Sequence, residues 1–156
     1  MKRNILAVCT ILAALFCLLN TVTLAGDDIS EFRSCNFCGM DRKAYGYSRM
    51  LISYQDGTHS GVCSLQCAVT EMNGNSQRQV KSLLVADRNT HTLIDAEKAY
   101  WVMGGKKRGV MTERPKWAFA TPEAARAFVS SYGGAQINWE SALASAQEEA
   151  AFKLRR

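Results

Sequence analysis

The segment YSRMLISYQDGTHSGVCSLQCAVTEMNGN, residues 47–75, reads as strand, turn, strand and helix. Residues 47–54 alternate in part between apolar and polar, the period of a half-buried strand. Asp56-Gly57 predicts a two-residue type I′ turn, whose central positions both need positive φ. Residues 58–63 are the return strand, which would place Tyr54 opposite His59 and Met50 opposite Cys63. Ser64 supplies an N-cap. Leu65, Ala68, Val69 and Met72 then fall on one helical stripe, and Asn73-Gly74-Asn75 ends the helix.

Downstream, residues 80–86 read as a buried strand and Asp87-Arg88-Asn89 as a turn. The order then repeats. Residues 99–103 are a strand, 104–114 a long loop holding Met111, and 117–120 a strand. Thr121 caps a helix with Pro122 at its first position, which suits both residues. Ala125, Phe128, Val129 and Tyr132 lie at i, i+3, i+4 and i+7, and Gly133-Gly134 stops that helix. A short strand at 135–138 and an alanine- and glutamate-rich helix at 139–154 close the chain. The expectation is an α+β fold of two small packed ββαβ units with a C-terminal helix, the approximate halves being 35–87 and 91–138.

The N-terminal segment is outside that core. Lys2 and Arg3 precede an apolar run over residues 5–19, and Thr23-Leu24-Ala25 puts small residues where a signal peptidase reads. The run is shorter than the roughly 20 residues that span a bilayer. Residues 1–25 are therefore expected to be a signal peptide cleaved after about Ala25, and residues 26–156 the exported, periplasmic domain. Phe16 stands before Cys17, a poor lipidation site, so no membrane tether is expected. Residues 26–34 are polar and read as flexible. Without Lys2 and Arg3, the 19 basic residues fall to 17 against 14 acids, a net charge of +3. That is too weak to imply nucleic acid. Hydrophobic residues make up 47%, enough for a packed core.

Cleavage removes two of the six cysteines and leaves Cys35, Cys38, Cys63 and Cys67. They stand as C-x-x-C and C-x-x-x-C, two pairs able to converge on one point. In an oxidising compartment a disulfide framework is one reading. Structural Zn(II) held by four thiolates in a protein-binding module is a second. A thiol–disulfide oxidoreductase is a third, although the reactive pair usually opens a helix and Gly39 follows Cys38 directly. The fourth is Cu(I), which soft thiolate and thioether ligands select. Methionine suits that metal in an oxidising space, because it binds without losing a proton and forms no disulfide. Met50 and Met72 read as core filler; Met40, two residues from Cys38, and Met111, in a polar glycine-containing loop, are the candidate thioether ligands. His59 and His91 read as turn or surface residues, with His59 a reserve candidate ligand near the hairpin. No catalytic triad or phosphate-cradling loop is present, so an enzyme is not expected. Lys106, Lys107 and Arg108 beside Met111 could steer docking to an acidic partner.

These segments resemble a known family. Cys35-Asn36-Phe37-Cys38-Gly39-Met40 resembles the C-x-x-C-G-M start of NosL-type proteins, copper chaperones associated with nitrous oxide reductase maturation. Val62-Cys63-Ser64-Leu65-Gln66-Cys67-Ala68 is similar to their F-C-S-L-x-C-A segment, with Gln66 where a histidine is common. Asp87, Leu93-Ile94-Asp95-Ala96, Ala99-Tyr100-Trp101-Val102, Gly109-Val110-Met111, Ala118-Phe119 and Phe128 to Gly133-Gly134 follow in the family's order. The resemblance implies Cu(I) binding and delivery to a copper enzyme outside the cytoplasm, or to its maturation machinery, with nitrous oxide reductase the candidate client. It carries onto Cys35, Cys38, Met40 and Met111, with Cys63 and Cys67 matching the second cysteine segment. A second resemblance, to short treble-clef modules with paired cysteines, covers only residues 35–67 and implies Zn(II).

Overall fold

The computed structural model describes residues 28–154; the signal peptide expected over 1–25 lies outside them. Among the described residues the fold is α+β, with two small antiparallel sheets and four helices. Strands β1 (Met50–Tyr54), β2 (His59–Val62), β3 (Val80–Ala86) and β4 (Leu93–Asp95) form a sheet in the order β2-β1-β3-β4. Strands β5 (Tyr100–Met103), β6 (Lys116–Phe119) and β7 (Ala135–Ile137) form the second, in the order β6-β5-β7. Helix α2 (Leu65–Gly74) connects β2 to β3, and α3 (Pro122–Tyr132) connects β6 to β7. The expected ββαβ order therefore appears twice, followed by a long C-terminal helix α4 (Trp139–Leu154).

The caps are those the sequence predicts. Ser64 Oγ accepts from the Cys67 amide at 3.3 Å, and Thr121 Oγ1 from the Ala124 amide at 3.2 Å. Gly133 ends α3 with φ +77°. The stripe on α2 buries Leu65, Ala68 and Val69, while Met72 is half-buried against the same core. Ala142, Ala146 and Ala150, at successive i+4 positions, bury one face of α4, and the Gln66 amide nitrogen donates to the Ala146 carbonyl at 3.2 Å. Small residues let α4 lie close on α2, and this closes the main core.

Three local expectations need correction. The β1–β2 turn is one residue longer than a type I′ turn. Ser53 faces His59 and Met50 faces Val62. Gly57 has φ +82°, but Asp56 does not have positive φ, so a type I′ turn cannot form. Instead the Gly57 amide donates to the Tyr54 carbonyl, and the Asp56 carboxylate accepts from the Thr58 amide at 2.9 Å. This is a type I turn followed by a left-handed glycine. Strand β3 is buried only at Val85 and Ala86, because the three-residue β4 covers only its last part and leaves 80–82 exposed. Finally, the stretch expected to be flexible contains a helical turn, α1 (Asp28–Glu31), and Asp28 is only 4% exposed.

Candidate metal centre

The first cysteine pair lies in a tight loop. The Cys35 amide donates to the Met40 carbonyl and the Gly39 amide to the Cys35 carbonyl, both at 2.8 Å. The Cys38 amide points at Cys35 Sγ, 3.5 Å away. Gly39 closes the loop at φ +76°, and a β-carbon there would touch nothing. Its requirement is therefore backbone conformation, not space. Asn36 docks this loop on β2: its amide donates to the Gly61 carbonyl at 2.9 Å and its side chain to Ser60 Oγ at 3.0 Å. Ser60 in turn donates to Glu71 on α2.

The second pair brackets the strand-to-helix junction. Cys63 follows the last residue of β2, and Ser48 Oγ donates to its carbonyl at 2.8 Å. Cys67 sits in the first turn of α2, where helix amides favour negative charge.

Loop and junction bring all four sulfurs together. Cys38 Sγ and Cys67 Sγ each lie 3.5 Å from Cys63 Sγ, and the four ligand atoms are all within 4.8 Å of one another. Sulfurs bound tetrahedrally at ~2.3 Å would stand ~3.8 Å apart, so one ion fits among them with small adjustment. All four are free thiols. Cys35, Cys63 and Cys67 are buried, and Cys38 is half-exposed. The three buried cysteines act on one another's protonation. Hydrogen bonds from Cys63 and Cys67 hold the Cys35 thiol far below the usual thiol range. That bond to Cys35, with burial, pushes Cys63 and Cys67 up.

The two candidate methionines differ in their settings. Met40 is half-buried against the core that contains the cysteines. Met111 is 38% exposed and holds φ +58°, an uncommon conformation for a residue other than glycine. Its neighbours Val110 and Thr112 line a water-sized cavity with Ser48, Ser64 and Gln66, beside the Cys63 segment. The loop is tied to α4 by Glu149, which accepts from Thr112, from the Glu113 amide and from Lys116. His59 bonds Ser53 at the exposed hairpin, and neither histidine joins the cysteine group. Met50 is fully buried, as expected of filler. Gln66 faces α4, where its amide nitrogen donates to the Ala146 carbonyl.

The NosL family model matches residues 27–145. The chain belongs to the NosL family. The fold of this NosL protein is similar to the crystal structure of the copper chaperone NosL from Shewanella denitrificans. The TM-score is 0.56 and the identity 22%, over 69% of this chain and 87% of that one. No curated protein matches the chain. No helix among the described residues is long and apolar enough to cross a membrane.

One buried polar group of this NosL protein is not signalled in its sequence. Asp28, Arg42 and Arg49 form a buried ionic triad beneath the first cysteine loop, 4%, 0% and 4% exposed. Asp28 Oδ2 accepts from Arg42 at 2.7 Å and from Arg49 Nε at 2.9 Å, and Oδ1 from Arg49 at 2.9 Å. Burial acts to raise the Asp28 pKa, but the Arg49 and Arg42 guanidiniums outweigh it and hold the carboxyl below its usual range. Arg42 further donates to the carbonyls of Asp28, Phe32, Met50 and Val62. Nothing in the local pattern separates these three from solvated charges.

Proposed function

We propose that this NosL family member is an extracytoplasmic Cu(I) carrier that hands copper to a copper enzyme, with nitrous oxide reductase the candidate client. The carrying observation is the convergence of four free thiols, three buried and one half-exposed. Soft sulfur donors select Cu(I). Two or three of Cys35, Cys38, Cys63 and Cys67 would hold the ion, with Met40 or Met111 as thioether ligand. The half-exposed Cys38 offers a sulfur to an incoming partner, so copper moves by exchange of one ligand at a time. The exposed Lys106, Lys107 and Arg108 near Met111 would steer an acidic partner face. The protein is a carrier and not an enzyme. The apolar segment and small residues before Gly26 support export.

The compact four-sulfur geometry favours one alternative, a closed structural Zn(II) site. Reduced, metal-free protein titrated anaerobically with Cu(I) and Zn(II) against competing chelators separates the two. The carrier reading expects tight Cu(I) binding that weakens in Cys38→Ser. Zinc retained through purification, with unfolding on chelation, would replace it with the structural reading.

A further inference from the structure

The cysteine segments and the buried Asp28–Arg42–Arg49 triad are joined through the backbone. One carboxylate between two guanidiniums leaves the triad with an excess of one positive charge, and both ion pairs are nearly solvent-free. Buried excess charge is costly unless another group offsets it. Two backbone contacts connect the triad to the cysteine segments. Arg42 Nε donates to the Val62 carbonyl at 3.2 Å, and that peptide continues directly into Cys63. The Arg42 amide donates to the Arg33 carbonyl, two residues before Cys35. Between the two segments lies Gly61, where a β-carbon would stand 2.8 Å from the Arg42 guanidinium carbon and would also overlap Phe32. A monovalent cation held by two or three thiolates leaves that cluster negative. A negative cluster and a positive triad complement each other in charge.

We propose that this triad is the counter-charge of the loaded metal centre, with Arg42 as the positioning residue that pins both cysteine segments. The inference rests on the Cu(I) carrier reading and deepens it. It assigns part of the affinity to charge balance behind the ligands.

The test compares Arg42→Met and Asp28→Asn in the reduced mature chain, with Cu(I) as the probe against a competing chelator. Arg42→Met takes the triad from +1 to neutral and is expected to weaken Cu(I) binding about 10- to 100-fold, the usual scale for partners behind the ligands. Asp28→Asn takes it to +2 and is expected to tighten binding several-fold, although it breaks the same buried hydrogen bonds. A merely structural triad would weaken binding in both variants. If both weaken it alike, or if neither changes it, the counter-charge inference is overturned while the carrier reading stands. Wild-type protein with no Cu(I) affinity overturns both. If Arg42→Met loses the near-ultraviolet circular dichroism of the fold, the direction of the Asp28→Asn change decides alone.

Discussion

Replacing Asp28 with alanine would leave two guanidiniums buried with no carboxylate. In the native protein that carboxylate takes three charge-assisted hydrogen bonds between 2.7 and 2.9 Å. Arg42 and Arg49 side chains are 0% and 4% exposed, so water cannot replace it without opening the core. Breaking a buried pair from one side costs about 3–5 kcal/mol, a large share of the roughly 5–15 kcal/mol that keeps a domain folded. The assay is equilibrium urea denaturation followed by tryptophan fluorescence, since Trp101 is buried in the same core. With a slope of about 2 kcal/mol per molar urea, the midpoint should fall by roughly 2 M. Arg33→Ala, at an exposed ion pair, serves as the control and should leave the midpoint in place. Acid titration gives a second readout. Asp28 has a folded pKa below its unfolded one, so its stabilisation is complete above about pH 4 and is lost as pH falls below that. The alanine variant should therefore show a shallower loss of stability in acid. A midpoint within 0.5 M of wild type by this ~2 kcal/mol/M scale, with an unchanged acid slope, would refute the argument that the triad is a structural keystone.

Further outcomes test the site's supports. Ser64→Ala removes the acceptor for the Cys67 amide and should cost about 1 kcal/mol in the same denaturation assay. Gly39→Ala meets no steric contact but forces a β-carbon to φ +76°, so thermal stability should drop by the equivalent of about 1–2 kcal/mol. Met111→Ala should leave the fold intact and weaken Cu(I) binding measurably in chelator competition; equal affinity would remove Met111 from the ligand set.

The sequence makes the local frame readable and the long-range one only in part. Ser64, Thr121-Pro122 and Gly133 mark helix ends through short-range hydrogen bonds and backbone preferences, and those ends appear where predicted. The alanine face of α4 is likewise periodic. The hairpin register fails by one residue because Asp56 uses its carboxylate on Thr58 instead of adopting positive φ, a choice between two turns that share the same dipeptide. Strand β4 is three residues long and exists by pairing with β3, too little pattern to detect. Cysteine spacing suggests convergence, and the loop at 35–40 and the junction at 63–67 provide it. The triad is illegible for another reason. Asp28 lies 14 residues from Arg42 and 21 from Arg49, in a stretch whose polarity suits solvent equally well. Only the folded chain reveals that no water reaches them.

Copper K-edge X-ray absorption on the one-to-one Cu(I) complex tests most directly whether these sulfurs hold a soft cation. The account predicts a shell of three or four sulfur atoms, loss of sulfur scatterers in Cys63→Ser, and thiols shielded from alkylation until a chelator removes the copper. A shell dominated by nitrogen or oxygen, or copper bound while all four thiols still react freely, would contradict it.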